Sequence, residues 1–280
     1  MKIKSGWDIK ILLDEVVYEF INIIYHISFL WHKIFYGSNL SGNKKYFDKH
    51  NGERCFLVGN GPSINKQDLK LLKDETTFFV NRAFLLEDYE YVKPTYHVIV
   101  DPKLGTGEWP ITYLDEIRKK NPDVILVLDV GWISLPQFKP YLSWNIVWVN
   151  FKKIFTRFTR KKVDLTTINA GAPVIESCIL NAIYMGFKDI YLLGVDYNGI
   201  FYDLLDMDSH AYGRNPENSG KNMNVIARDL MFTSMSFRRW WYIELYCKRL
   251  NVNLKNATLG GALGISRIDY MSLFKVKNGL

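Results

Sequence analysis

Cysteine is scarce in this chain of 280 residues: Cys55, Cys178 and Cys247 are odd in number, far apart and set in apolar stretches. That excludes a disulfide framework and metal-ligand spacing, and it implies buried thiols in a reducing compartment. No short apolar core with a small-residue cleavage site opens the chain, so a cytoplasmic protein without a secretory signal is expected. Clean apolar runs of about 18 residues, long enough to span a bilayer, are missing. There is no internal repeat, no Walker loop and no G-x-G-x-x-G fingerprint. Nothing resembles an RNA- or DNA-binding signature, so nucleic acid is not expected as a partner.

What is present is a globular composition, 48% apolar, with a formal net charge of +7 that suits anionic ligands or an acidic membrane surface. Residues 1–50 stand apart from the rest. Between Trp7 and Tyr36, apolar residues recur at helical spacing, as in Leu13, Val17, Phe20, Ile24 and Ile27, while Asp14, Glu15, Glu19, Asn22 and His26 interrupt them. This pattern predicts an amphipathic helix. It would lie on the inner face of a membrane, pack on a partner or cover the protein's own core. A linker is expected at Gly37–Lys45.

From residue 51 onward, short β-rich runs alternate with helical patterns. Strands are expected at Cys55–Gly59, Thr76–Asn81, Tyr96–Val100, Val124–Val130, Asn145–Asn150, Asp189–Val195 and Asn253–Asn256. The fold class that follows is α/β: a mostly parallel, Rossmann-like sheet with helices on both faces, occupying residues 51–280. Ligands of such sheets bind beyond the carboxyl ends of the strands, which makes Asn60, Asn81, Asp101 and Asp196 the first candidates.

Gly59-Asn60-Gly61-Pro62-Ser63 leaves the first strand; its glycines suit either close approach to a phosphate or an ordinary tight turn. Asn81 can read a base or ribose, and Arg82 can clamp a phosphate. Asp101 and Asp196 sit at strand tips, where they would bind a ligand or cap loop amides. Ala170 and Gly171 precede a long apolar helix, against a ligand or a neighbouring strand. An irregular stretch at about 197–224 is expected to be a lid, and it carries His210, a candidate general base. The basic, aromatic run Phe151–Lys162 suits anionic lipid or a pyrophosphate-linked acceptor.

These residues, with Tyr191–Asp196 and Asn256-Ala257-Thr258-Leu259-Gly260-Gly261, occur in an order that resembles one superfamily. It contains the Campylobacter-type sialyltransferases and the MptE-like proteins, the latter including 6-hydroxymethylpterin diphosphokinases and motility-associated glycosyltransferases. The resemblance covers roughly residues 54–270. It implies a GT-A-type fold that binds a CMP-activated sugar with no obligatory metal or other cofactor. Asn60 and Asn81 then match nucleotide-holding positions, His210 the acceptor-activating base, and Tyr202 one of two tyrosines that stabilise the leaving phosphate. Asp101, Ala170 and Asn198 depart from the sialyltransferase pattern toward the MptE-like branch. The function implied is transfer of a sugar from a CMP-type donor to a surface glycan or lipid-linked acceptor, by an enzyme peripheral to the membrane and open to homo-oligomerisation. The alternative is a pterin diphosphokinase using ATP, with Mg²⁺ held by Asp101 and Asp196.

Overall fold

The computed structural model describes residues 5–170, 173–205, 207–213 and 222–275. Eight strands form one sheet: β1 (Arg54–Val58), β2 (Thr77–Val80), β3 (Tyr96–Val98), β4 (Ile125–Asp129), β5 (Ile146–Lys153), β6 (Ile168–Ala170), β7 (Asp189–Leu193) and β8 (Asn253–Asn256). Their order is β6-β5-β4-β3-β2-β1-β7-β8, and every pairing is parallel. The chain winds outward from β1 to β6, then returns to place β7 on the other side of β1. That reversal makes the β1/β7 boundary the switch point. Together these features give the α/β, Rossmann-like architecture that the alternating sequence predicts.

The α-helices are α1 (Gly6–Ser41), α2 (Tyr89–Val92), α3 (Pro102–Thr106), α4 (Tyr113–Lys120), α5 (Val174–Tyr184), α6 (Gly199–Leu204) and α7 (Met223–Arg249). Within β1, side chains alternate between faces as pleating requires. Cys55 and Leu57 join a core with Ile179 of α5 and Trp240 of α7. Phe56 and Val58 point the other way, into a core with Phe84, Tyr89 and Leu114. Both faces are covered, which explains why the strands read as near-continuous apolar runs.

Several connectors form 3₁₀ turns, among them Pro62–Lys66, Asn81–Leu85 and Pro136–Tyr141. Strand β6 went unforeseen because three residues carry almost no periodic signal. At the N-terminus, Ser5 and Asp8 form a capping box that starts α1. The helix then runs through the stretch expected as a linker. Gly42–Tyr46 continues as a 3₁₀ turn, and buried Asn43 donates to the Trp148 and Leu165 carbonyls at 2.6 and 2.9 Å. A buried amide bonded to two carbonyls is a strong anchor, so local Gly/Ser/Asn content misleads there. No helix among the described residues is long and apolar enough to cross a membrane.

Candidate active site

The loop after β1 is shaped first by its neighbour β7. The Gly59 and Gly61 amides donate to the Leu193 and Gly194 carbonyls at 2.8 and 2.9 Å. A Cβ on Gly59 would lie 2.5 Å from the Gly194 oxygen, and one on Gly61 would lie 2.6 Å from the Asp196 carboxyl carbon. These glycines therefore serve the close approach of two chain segments. Buried Asp196 accepts from the Ser63 amide at 2.9 Å and from the Ser63 hydroxyl. Its own carbonyl accepts from Ala262 at 2.7 Å. Asp196 thus bolts the β1 loop and the Asn256–Gly261 segment to the end of β7, and Pro62 opens the 3₁₀ turn that brings Ser63 into place.

Three other strand-end candidates gather one strand over, where β1 and β2 end. Asn60 donates through Nδ2 to the Val80 carbonyl at 3.1 Å, while its Oδ1 is buried with no partner among the described residues. Asn81 holds a left-handed backbone (φ 48°), and its Oδ1 is likewise buried and unpartnered. The same holds for Nε of Arg82, whose guanidinium lies 5.2 Å from the Trp109 ring and 5.3 Å from the Tyr212 ring. Buried polar atoms are normally paired, so these three atoms on adjacent strand ends are where a polar ligand would find partners.

The unusual backbone of Asn81 is held from below. Its carbonyl accepts from Nε2 of His97 at 2.7 Å, and Nδ1 of His97 faces the Tyr89 hydroxyl at 2.9 Å. Because a carbonyl can only accept, Nε2 carries the proton and Nδ1 accepts from Tyr89. Complete burial lowers the His97 pKa to about 4, which keeps the ring neutral and this polarity fixed.

Segment 209–213 closes over these groups. The Ala211 amide donates to the Asn60 carbonyl at 2.8 Å, and Asn65 donates to the Ala211 carbonyl at 2.8 Å. His210 stacks on Tyr212 with centroids 5.1 Å apart and contacts the Ser209 hydroxyl at 3.1 Å. Burial pushes the Tyr212 phenol pKa up, against the opposing influence of the nearby Arg82 charge. His210 also lines a cavity of about 370 Å³ walled by α6 and α7 through Ile200, Asp203, Asp229 and Phe232. Burial first, and then the Arg82 charge, lower its pKa, while Asp203 raises it. A neutral imidazole between donor-type groups and a cavity has the position of a general base.

The remaining candidates make contacts of their own. Asp101 caps α3 by accepting from the Lys103 amide at 3.0 Å. Tyr202 lies on α6, its hydroxyl accepting from Asn198 at 3.3 Å. Ala170 ends β6, paired with Lys153 of β5, and shares no strand neighbour with β1 or β2. Gly171 and residues 214–221 of the expected lid lie outside the described residues. Sequence reasoning overlooked Trp109, Tyr212, Tyr89 and His97. Only His97 left a signal, as a polar residue in the middle of a buried strand. No group of three or more His, Cys, Asp or Glu side chains among the described residues is arranged to hold a metal ion.

Among solved structures, the MAf glycosyltransferase from Magnetospirillum magneticum AMB-1 matches 84% of this chain at 14% identity with a TM-score of 0.51. The chain spans 39% of that protein's length, and the likeness is one of fold. The sialyltransferase CstII from Campylobacter jejuni, solved with cytidine-5'-monophosphate, matches 76% of this chain and 83% of its own at 15% identity, with a TM-score of 0.44. No curated protein matches by sequence. The family described as 6-hydroxymethylpterin diphosphokinase MptE-like matches residues 32–199, more than half of the chain. By that match the protein belongs to the MptE-like family.

Proposed function

We propose that this protein is a glycosyltransferase that moves a sugar from a CMP-type nucleotide donor to a surface-glycan acceptor: a polysaccharide, a lipooligosaccharide or a glycoprotein. The observation that carries the reading is the trio of buried, unpartnered atoms, Oδ1 of Asn60, Oδ1 of Asn81 and Nε of Arg82, beside His210. The two amides suit a base or ribose, and the guanidinium suits a phosphate. His210, held neutral, takes the acceptor hydroxyl proton as oxygen attacks the anomeric carbon and the nucleotide phosphate departs with the bond's electrons. Arg82 supplies positive charge for that leaving group without an obligatory metal. The cytidine choice rests on the sequence resemblance of Gly59–Ser63, Val80–Arg82 and His210 to the sialyltransferase group. The name of the MAf neighbour agrees with sugar transfer.

A second reading, phosphoryl transfer from ATP with Mg²⁺, is favoured by the family's description. It would rely on Asp101 and Asp196, whose carboxylates are engaged as a helix cap and a loop latch. Those engagements weigh toward the first reading.

Thermal unfolding of the full chain with CMP, CDP or ATP, with and without Mg²⁺, separates the two. At a hundredfold excess over Kd, CMP should stabilise the protein by about 2.7 kcal/mol without metal. His210→Ala should keep that shift and lose about 10²–10⁴ in turnover of a CMP-sugar. Stabilisation by ATP with Mg²⁺ alone would replace this reading with the second.

A further inference from the structure

Helix α1 is amphipathic in the reverse of the usual sense. Its inward side carries buried polar residues that are bonded to the segment following β5. Asn22 donates to the Ile154 carbonyl at 2.9 Å and accepts from the Ile154 amide at 2.8 Å, and Glu15 accepts from the Arg157 amide at 3.1 Å. Phe29 and Leu40 do reach the core. The outward side instead presents Leu13, Phe20, Ile24, Ile27, Leu30 and Ile34, with Phe20 64% and Ile34 78% exposed. Spaced three, four and seven apart, these residues form one stripe that runs about 30 Å along the helix. Soluble proteins rarely leave such a stripe uncovered.

Beside it lies a basic shelf. Arg160, Lys161 and Lys162 are exposed, and with Lys33 and Lys153 they border a cleft of about 950 Å³ between α1 and residues 153–168. Their backbone is fixed from behind: Tyr246 donates to the Lys161 carbonyl at 2.9 Å and accepts from the Val163 amide at 3.0 Å, while Arg249 donates to the Thr159 carbonyl at 3.2 Å. A second copy of this chain, with the same basic shelf and a net charge of +7, would meet it with like charge. An anionic bilayer complements both features.

We infer that the outward face of α1 and the Arg160–Lys162 shelf dock together on a bilayer rich in anionic lipid, the helix lying in the interface and the cleft receiving headgroup phosphates. This holds whatever reaction the strand-end site performs. Sedimentation with sucrose-loaded vesicles tests it. The 280-residue chain should bind vesicles of phosphatidylcholine with about 30% phosphatidylglycerol and hardly bind pure phosphatidylcholine. Neutralising Arg160, Lys161 and Lys162 to Gln together should weaken partitioning about a hundredfold, near fivefold per charge. Phe20→Ser and Ile24→Ser should each weaken it about tenfold. For the wild type, raising salt from roughly 0.05 to 0.5 M should release the protein, a readout that needs no variant. Absence of binding to anionic vesicles, salt-indifferent binding, or folded variants that bind like wild type would each overturn the inference. So would a dimer that Phe20→Ser dissolves, in protein that ignores vesicles.

Discussion

His97 offers the sharpest quantitative test, because its burial couples stability to pH. Folded, its pKa is about 4; unfolded, it returns to the ordinary 6.5. Between those values the unfolded chain binds a proton that the folded chain refuses, so stability is intact above pH 6.5 and falls as pH drops toward 4. At about 1.4 kcal/mol per pH unit, the gap amounts to about 3 kcal/mol by pH 4 and about 2 kcal/mol by pH 5. His97→Gln cannot titrate, yet it can still donate to the Asn81 carbonyl from nearly the same position. Its cost at pH 7.5 should be about 1–2 kcal/mol, for the lost Tyr89 hydrogen bond and imperfect packing. Urea unfolding of both proteins at pH 7.5 and 5 reads the effect as a double difference. Other titrating groups cancel in that comparison. Glu176, raised to about 7 chiefly by burial, works in the opposite sense, its stability contribution being present below pH 4.5 and lost as pH rises through 7. The variant should lose about 2 kcal/mol less than wild type on acidification. An identical pH dependence in the two proteins would refute the neutral, buried His97.

Other substitutions separate latch from site. Gly61→Ala places a Cβ 2.6 Å from the Asp196 carboxyl carbon and 2.7 Å from the Gly194 oxygen, and should cost about 1–3 kcal/mol in urea unfolding. Asp196→Asn weakens charge-assisted bonds to Ser63 and should cost about 1–2 kcal/mol of stability while turnover per folded molecule stays within about threefold. A hundredfold fall in turnover would instead place its carboxylate in the chemistry. Asp203→Asn removes the charge that raises the His210 pKa, so the acidic limb of a kcat/KM profile should move to lower pH, whereas Arg82→Gln should move it higher. A limb that stays fixed in both variants would take His210 out of that profile.

The sheet was legible because fully buried strands must be apolar runs: seven of its eight strands follow from Cys55–Val58, Thr77–Val80 and their like. Connectors were harder to read. Asn65–Lys73 has helical spacing, yet it breaks into two 3₁₀ turns, with Asp68 capping the second. At the site, Asn60, Asn81, Arg82 and His210 could be named from strand ends and an irregular loop. Their supports could not, because Trp109 and Tyr212 become relevant only when distant segments fold to either side of one guanidinium. The glycines could be read two ways. Gly59 and Gly61 suit a phosphate's approach or a tight turn, and the space they vacate is filled by Gly194 and Asp196.

That displacement has a consequence for catalysis. In a sheet of this winding, the crevice at the switch point lies between β1 and β7, yet here Ser63, Asp196 and the Gly59–Gly194 contact seal it. The unpaired polar atoms lie one strand over, at the ends of β1 and β2, on Asn60, Asn81 and Arg82. His210 precedes Ala211, whose amide donates to the Asn60 carbonyl, and it lines the cavity walled by α6 and α7. A donor above the strand ends therefore leaves the α6–α7 side as the approach for an acceptor hydroxyl. Substituting Phe232 or Ile200, which line that cavity, should raise the acceptor KM and leave CMP binding unchanged. Equal loss of donor and acceptor binding in those variants would mean that both substrates share one side of His210.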